Sequence, residues 1–567
     1  MNASKKTHPD VDAIVIGSGA GGLAAALALA NAGEKVLVLE QHDVPGGWCH
    51  SFTLEGHRYS PGVHYIGELG PGGSMRRMYE GLGVSGDLTF FELNPDGFDH
   101  VRIGGAEPFA IPRGREAFLA RMIERFPAER RGLERYFAVV TGLARELDRL
   151  TDVRPRDLWR LPFAFPNLLR YGLRSMQAVL EQTVKDPVAR TILTIQGGDH
   201  GLPPSRCPAP LHAAVQAHYF HGGFYPQGGG FAIPRAFARA LKRQGGEIRV
   251  KTPVASILFD GEGRKSRAIG VRLADGTTIR AKHVVSNADP AVTYGALVGR
   301  ERLPRGLRRR LDKTRWSISA LSLFLAVDMD VRAAGLDSGN VWWAREPDIE
   351  GIYRAATAPT LDPVKAGFPS LFLTVPTLKD PTKQKGSVHT MESFGFVSYD
   401  AFRQWAGSRY GERPESYEAM KRELTDVMLR DLERVVPGLR ERVTFSSLGT
   451  PLTNEHYCRS TAGNLYGTEK TLKHLGPRAY ATRSPFPGLS LCGASTVSHG
   501  VAGATISGLV AAAQILDVKP SELTATRRGP DLAVYPADDP SAWPESLERR
   551  AADRAKRGAE GSLAAIA

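Results

Sequence analysis

A glycine-rich turn near the N-terminus constrains the fold of this chain more than any other feature of its sequence. The turn lies between two apolar stretches, Ala13–Ile16 and Leu23–Ala32, and its residues are Gly17, Ser18, Gly19, Ala20, Gly21 and Gly22. Another apolar run, Val36–Leu39, follows the alanine-rich stretch. A strand, a glycine turn, a helix and a second strand within about 30 residues form a parallel β-α-β unit. The sequence therefore predicts an α/β fold that begins with a Rossmann-type unit.

The spacing of the glycines predicts a dinucleotide site. Gly17 permits the tight turn, Gly19 lets the backbone approach a pyrophosphate, and Gly22 lets the helix pack closely on the strand. The N–H groups at the start of the helix then face the phosphates. Glu40 ends the next strand, where an acidic residue holds the adenosine ribose hydroxyls. The predicted cofactor-binding residues of this unit are Gly17, Gly19, Ala20, Gly21, Gly22 and Glu40.

A glycine pair, Gly46 and Gly47, follows Glu40 after a few residues. In many flavoproteins of the glutathione-reductase type, a pair at this place lies against the pyrophosphate and the flavin. The pair therefore favours FAD over NAD, although a plain turn would also fit two glycines. NAD(P) stays open as an electron donor, but the sequence has no second glycine-rich β-α-β unit for a nicotinamide.

Several further motifs resemble those of one protein family. Residues 46–52 and 62–67 look like the retinol saturase and carotenoid isomerase branch of the phytoene-desaturase family, and residues 222–229 and 284–290 are similar to the same branch. Near the C-terminus, residues 491–508 resemble the closing flavin motif of the family. The motifs occur in the family's order between residues 11 and 516, so the resemblance covers the chain apart from its tail.

The resemblance implies FAD as the cofactor and extends the predicted site. It implies Val254 as the backbone contact on the adenine side. The residues that it places against the ribityl chain and the pyrimidine end of the flavin are Gly493, Ala494, Gly503, Ala504 and Thr505. A helix N-terminus at that place would stabilise the negative charge of a reduced flavin.

The implied fold is a glutathione-reductase-type FAD-binding Rossmann domain with an inserted α+β substrate domain. The FAD-binding domain is predicted to comprise residues 8–70, 225–300 and 450–517. The substrate domain is predicted to comprise residues 71–224 and 301–449. The remaining residues, 518–567, are rich in Pro, Asp and Arg, and we expect them to form a disordered tail.

The resemblance implies an FAD-dependent oxidoreductase that acts on carbon–carbon double bonds of a long apolar isoprenoid, such as a carotenoid or a retinoid. Saturation, desaturation and isomerisation all stay open. Two alternatives remain. One is a flavin amine oxidase-like enzyme on a small substrate, and the other is a flavin-free protein that binds prenyl lipids. The intact glycine motif with Glu40 argues against the second alternative.

Two residues are candidates for proton transfer in that reaction. His64 and Tyr65 follow the glycine pair closely, and the resemblance places this stretch near the isoalloxazine. Both side chains can act as general acids, and the unperturbed pKa of histidine, about 6.5, makes His64 the better candidate. A purely structural hydrogen-bonding role would also fit His64. The histidines and cysteines do not show the spacing of a metal site, so we expect no metal.

The net charge of +13 suggests an anionic partner. Nucleic acid is not expected, because the sequence has no nucleic-acid-binding motif. A basic and aromatic stretch, residues 154–174, instead favours peripheral association with an anionic membrane, and an ordinary basic helix pair would fit it equally well. Without a secretory signal or an apolar membrane span, we expect a cytoplasmic protein, with attachment to the cytoplasmic face of the membrane left open.

Overall fold

The computed structural model describes residues 9–150, 161–261 and 266–553. The strands are β1 (Val11–Ile16), β2 (Val36–Leu39), β3 (Phe52–Leu54), β4 (His57–Tyr59), β5 (Thr89–Glu92), β6 (Asp99–Ile103), β7 (Phe109–Ile111), β8 (Phe224–Pro226), β9 (Glu247–Arg249), β10 (Val254–Asp260), β11 (Arg267–Leu273), β12 (Thr278–Ser286), β13 (Ser319–Asp328), β14 (Asn340–Ala344), β15 (Ser370–Thr374), β16 (Val388–Val397), β17 (Val443–Gly449), β18 (Leu489–Leu491) and β19 (Ala533–Pro536).

The α-helices are α1 (Ala20–Asn31), α2 (Ser74–Leu82), α3 (Arg115–Arg125), α4 (Arg130–Leu150), α5 (Leu161–Ala164), α6 (Pro166–Tyr171), α7 (Met176–Glu181), α8 (Pro187–Thr194), α9 (Ala209–His218), α10 (Ala232–Arg243), α11 (Arg305–Asp312), α12 (Ile349–Ala356), α13 (Asp362–Lys365), α14 (Pro376–Lys379), α15 (Glu415–Leu432), α16 (Leu439–Arg442), α17 (Pro451–Cys458), α18 (Gly500–Leu516) and α19 (Glu522–Ala525). Short 3₁₀ turns and one π-helical segment, Ala291–Gly299, connect them.

The first sheet has the strand order β10-β11-β12-β1-β2-β9, and β18 pairs with β12 at the same time. Strands β1, β2, β9, β12 and β18 run parallel, whereas β10, β11 and β12 form an antiparallel meander. Ile16 pairs with Leu39 and with Ser286, so three strands end at one level. Ligands bind at the carboxyl ends of the strands in such sheets, and the loops that leave this edge build the site.

The second sheet has the order β17-β13-β16-β15-β14-β6-β7, and among its pairs only β14 and β6 run parallel. Side chains alternate between its faces. Leu371 and Leu373 of β15 belong to the core under α15, whereas Phe372 between them belongs to the core on the opposite face. That second face contributes the wall of a large internal cavity.

Each sheet uses the segments that the sequence assigns to it. Strands of the first sheet lie within residues 8–70, 225–300 and 450–517, and strands of the second lie within 71–224 and 301–449. The division into an FAD-binding and a substrate domain stays a prediction. Within the described part of the chain, none of the helices is long and apolar enough to cross a membrane.

The predicted disorder of the tail is wrong for residues 518–553. Strand β19 pairs in parallel with β5, which also pairs with β8. Trp543 is buried, its indole Nε1 donates to the Pro536 oxygen at 2.6 Å, and its ring lies 5.1 Å from that of Phe91. Residues 545–553 are helical, and residues 554–567 lie outside the described part. The polar composition of the tail gave the wrong prediction, because a few apolar residues suffice to anchor a polar segment to an existing core.

We expect Trp543→Ala to lower the free energy of unfolding by about 3 kcal/mol, since truncating a buried aromatic side chain leaves a cavity. Urea denaturation followed by circular dichroism measures the change. Tyr410→Ala serves as the control, because Tyr410 is an exposed aromatic residue. Equal stability of the two variants would contradict the anchored tail.

Candidate functional site

The turn after β1 has the geometry of a phosphate-binding loop. Gly17 donates its N–H to the Leu39 oxygen at 2.8 Å and has φ +89°, a value that favours glycine. Gly19 is the N-cap of α1 and has no side chain to occupy the first N–H groups of the helix. These groups and the positive end of the helix dipole therefore remain available to an anion.

Two glycines of the motif serve packing. A Cβ on Gly22 would lie 2.1 Å from the Gly17 oxygen, and a Cβ on Gly21 would lie 2.9 Å from the Ala504 oxygen. Helix α18 packs equally close, because a Cβ on Gly508 would lie 2.1 Å from the Gly21 oxygen. Gly22 does not line the cavity, whereas Gly17, Gly19, Ala20 and Gly21 do.

Glu40 is buried and lies at the end of β2, as the motif predicts. Its Oε2 accepts from the backbone N–H of Ser18 at 2.9 Å and from the Ser18 hydroxyl at 2.6 Å, and Oε1 accepts from the His42 N–H at 2.9 Å. The backbone N–H of Thr252 donates to the backbone oxygen of Glu40 at 2.8 Å. This contact brings Val254 to the same stretch of cavity wall. The contacts of Glu40 and Val254 with the adenosine stay predictions.

The glycine pair lies over the phosphate loop. The Gly46 N–H donates to the Ser18 hydroxyl at 3.1 Å, and a Cβ on Gly47 would lie 3.3 Å from the Gly19 Cα. Both glycines have positive φ, +129° and +53°. A side chain on Gly47 would enter the space in front of the helix N-terminus, whereas a Cβ on Gly46 would lie 2.9 Å from Pro234. The glycine pair and Gly19 all line the cavity and form a cradle for an extended phosphate-containing group.

The closing motif reaches the cavity from β18 and α18. Gly493 has φ +92°, and a Cβ there would lie 2.9 Å from Asn287 Oδ1. Gly493, Ala494, Gly503 and Ala504 line the cavity. The side chain of Thr505 is buried and does not line it.

Three polar residues around the closing motif could not be predicted from the sequence as part of the site. Asn287 lies among the glycines of both motifs. Lys470 is fully buried and donates from Nζ to the Ala494 oxygen at 2.6 Å, and burial lowers its pKa to about 7. Nδ1 of His499, at the N-cap of α18, is buried and has no hydrogen-bond partner among the described residues. Asn287 and His499 lie within recognised motifs, but motif spacing assigns a role to none of the three.

One cavity of about 1720 Å³ connects the glycine cradle to an aromatic chamber. The glycine cradle, Glu40 and the unpartnered Nδ1 of His499 lie along it, so these residues fit an extended dinucleotide such as FAD and would hold it. The chamber is lined by Phe372, Phe394, Tyr65, Tyr219 and His64. Among the described residues, we find no group of three or more acidic, histidine or cysteine side chains that could hold a metal ion.

The structure brings His64 and Tyr65 to the chamber in different environments. His64 lies 5.3 Å from the ring of Phe372, and its Nδ1 lies 3.2 Å from Glu392 Oε2. Tyr65 stacks on Tyr219 at 4.3 Å between ring centroids, and its hydroxyl is directed into a buried polar cluster. Burial raises the pKa of Tyr65 well above its usual value, so its phenol stays neutral. The catalytic roles of both residues stay predictions.

The sheet and the cavity lining define a Rossmann-type flavoprotein. The chain belongs to the family of flavin-containing amine oxidoreductases, whose sequence pattern matches residues 20–516. The predicted FAD cofactor, fold class and oxidoreductase class are thereby confirmed.

Individual relatives agree with the family assignment. All-trans-retinol 13,14-reductase of Danio rerio is 29% identical over 540 residues, which cover 91% of this chain and 87% of that protein. Chloroplastic prolycopene isomerase of Arabidopsis thaliana is 28% identical over 472 residues, covering 80% and 74%. A putrescine oxidase variant superposes with a TM-score of 0.60 at 17% identity, covering 89% of this chain and 99% of the other. This last likeness shows the fold alone.

We expect Gly19→Val to yield a protein without flavin, because its Cβ would already lie 2.7 Å from Asn287 Nδ2 and its methyl groups would enter the cradle. The ratio of flavin to protein absorbance measures the loss. The control is Gly306→Val, at an exposed glycine where a Cβ would meet no heavy atom within 4 Å. Full flavin content in Gly19→Val would show that the cradle is not the pyrophosphate site.

Proposed function

We propose that this protein is an FAD-dependent oxidoreductase that acts on carbon–carbon double bonds of a long apolar isoprenoid of the carotenoid or retinoid type. The observation that carries the proposal is the single cavity that joins the dinucleotide cradle to an aromatic chamber. The similarity to two relatives, a retinol reductase and a prolycopene isomerase, supports the substrate class.

The chamber suits a polyene. Phe372 and Phe394 stack at 4.6 Å between centroids, and the ring of Trp342 lies 4.7 Å from that of Phe372. Such a wall holds an apolar chain by dispersion and excludes water. When bound, FAD supplies the hydride donor or acceptor that carbon–carbon bonds require and side chains lack. The chain orients the substrate and keeps the reaction dry.

An amine oxidase-like function is the alternative. A cation–π site for an amine needs an aromatic face that is free for the ammonium. Tyr65 and Tyr219 instead stack on each other at 4.3 Å between ring centroids, with an angle of 12° between their planes. The two rings therefore leave no space between them for an ammonium group. This packing favours the polyene. Membership of a flavin-containing family and the glycine cradle both argue against a flavin-free lipid carrier. A purified protein without the yellow colour of flavin would support that alternative.

We expect the purified protein with reduced flavin to change a polyene in a way that mass spectrometry can identify. A gain of two hydrogens indicates saturation, a loss of two with oxidised flavin indicates desaturation, and a new isomer at constant mass indicates isomerisation. Putrescine and cyclohexylamine serve as comparison substrates. Turnover of amines with no change in any polyene would contradict the proposal.

We also propose that the protein binds anionic membranes peripherally at the mouth of the cavity. Three apolar side chains, here called the mouth patch, are unusually exposed: Phe163 (86%), Leu169 (72%) and Leu173 (78%). Leu173 also lines the cavity, so the patch adjoins an opening to solvent. Arg170 and Arg174 lie exposed beside the patch. A peripheral location would let an apolar substrate pass from the bilayer to the chamber without crossing water.

Only part of the predicted basic and aromatic stretch, residues 154–174, is exposed at this patch. Phe165 and Tyr171 are buried, and residues 151–160, which include Trp159, lie outside the described residues. Phe165 and Tyr171 instead contact the guanidinium groups of Arg149, Arg170 and Arg174 at 5.2–6.0 Å from the ring centroids.

Replacing the three residues of the mouth patch by Ser should weaken binding to anionic liposomes at least tenfold, and raising the salt concentration should weaken it further. Exposed charges are screened over about 8 Å at physiological ionic strength. Liposome co-sedimentation measures both effects. The matched control replaces the exposed apolar residues Val250 and Tyr410 by Ser. Equal binding of the patch variant and the control would refute this use of the patch.

A further inference from the structure

A buried and a half-buried carboxyl group share one hydroxyl beside the aromatic chamber. The hydroxyl oxygen of Tyr65 lies 3.2 Å from Asp99 Oδ2 and 3.1 Å from Asp199 Oδ2. Asp99 is fully buried on β6. Asp199 ends the 3₁₀ turn Ile195–Asp199 and itself lines the cavity. Neither aspartate belongs to a motif predicted from the sequence.

Counting hydrogens indicates that one of the two carboxyl groups is protonated. A tyrosine hydroxyl has one hydrogen to donate, whereas the Tyr65 oxygen has two carboxyl oxygens within hydrogen-bond distance. Two ionised carboxylates on one hydroxyl would repel each other in a dry interior. An added proton on one carboxyl group completes both hydrogen bonds.

Asp199 is the better place for that proton. Asp99 already accepts from Gln196 Nε2 at 2.8 Å and from Asn340 Nδ2 at 2.9 Å, and both hydrogen bonds favour its ionised form. Lys379, fully buried, hydrogen-bonds Asn340 and adds a positive charge near Asp99. Asp199 has the hydroxyls of Tyr65 and Tyr219 as neighbours, and no cation acts on its carboxyl group among the described residues.

The turn that carries Asp199 is fixed against the flavin end of the cavity. His499 Nε2 donates to the backbone carbonyl oxygen of Asp199 at 2.8 Å, and the Tyr466 hydroxyl donates to the backbone carbonyl oxygen of Gly198 at 2.8 Å. His499 is the N-cap of α18, where the closing flavin motif begins. The carboxyl group therefore lies where the chamber meets the closing motif.

We infer that Asp199 exchanges the proton with the substrate carbon, and that Tyr65 and Asp99 position it for this step. The inference rests on the proposed function. In saturation, one carbon receives a hydride from the reduced flavin. The π electron pair forms the second C–H bond with the proton of Asp199, whose O–H bond breaks and leaves a carboxylate. The Tyr65 hydroxyl then donates to that carboxylate. In desaturation, the same carboxylate accepts the proton from one carbon, and bound oxidised flavin would accept the hydride of the neighbouring carbon as the double bond forms.

The surroundings of Asp199 support a proton that is available near neutral pH. Burial, and then the charge of Asp99, raises the pKa of Asp199 to about 7. The groups that face it are Asp99, Tyr65, Tyr219, Tyr353, Tyr466 and His499. Burial raises the pKa of these tyrosines well above the usual value and lowers that of His499 to about 3, so all five are neutral where Asp199 titrates.

His64 is the competing donor. The Nδ1 atom of its imidazole faces Glu392, so the ring has a different partner from the Tyr65 hydroxyl. The backbone oxygen of His64 accepts from Lys379 Nζ at 2.6 Å, a contact that replacement of the side chain retains. His64→Gln therefore separates the two candidates.

The first test is independent of turnover. Infrared difference spectra of the flavin-loaded wild type between pH 6 and pH 9 should contain the C=O stretch of a protonated carboxyl group that Asp199→Asn lacks. The control is Asp431→Asn, at a buried aspartate paired with Arg345 at 3.1 Å. Flavin content and circular dichroism establish that each variant is folded. An unchanged band in Asp199→Asn would overturn the inference.

The second test follows reaction of the flavin with a polyene in stopped flow. Asp199→Asn should slow this step about 10²–10⁴-fold, the usual contribution of a general acid or base. Asp199→Glu should recover part of the rate, Tyr65→Phe should shift the pH profile, and His64→Gln should change the rate only a few-fold. Equal rates in Asp199→Asn and wild type would overturn the inference. A wild type that leaves all polyenes unchanged contradicts the proposed function, and the infrared result then still decides where the proton lies.

Discussion

The parallel pairing of β1 with β2 and β12, extended by β18, is the constraint on which the rest of the structure depends. Its register ends these strands at one level, so the phosphate turn, Glu40, Asn287 and Gly493 all leave the sheet at the same edge. A slip of one residue in any pair would turn its side chains to the other face and move its loop along the strand direction. The cradle, the helix N-termini and the chamber beyond them all rely on this alignment.

Local chemistry explains what could be predicted from the sequence. The glycine turn, Glu40 and the closing motif each reflect a requirement of nearby backbone, such as the positive φ of Gly17 or the close approach at Gly22. Asp199, Lys470 and the anchored tail could not be predicted in this way. Tyr65 is 134 residues from Asp199, Ala494 is 24 residues from Lys470, and Glu80 is 452 residues from Leu532 of the tail. Only the completed fold brings these pairs together.

Buried polar groups lie behind the walls of the cavity and are removed from water. Lys379, Asp99 and Lys470 are fully or almost fully buried, and each has its hydrogen bonds satisfied by the chain. Burying a charge without such partners would be prohibitively costly, and the usual response is a shift of pKa towards the neutral form. The same burial that suits an apolar substrate therefore moves these lysines and aspartates towards neutral pH, where proton transfer is useful.

The order of the strands also has a consequence for biosynthesis. Strand β1 is made first, β12 follows more than 250 residues later, and β18 is completed only near residue 491. At about 5–20 residues per second, the sheet that β1 begins waits on the order of half a minute for its last strand, β18. During that interval the nascent chain presents an apolar strand edge and an alanine-rich helix with nothing to cover them. The cofactor can enter only after most of the chain has left the ribosome, so a supply of FAD and protection from aggregation are needed at the same stage of synthesis.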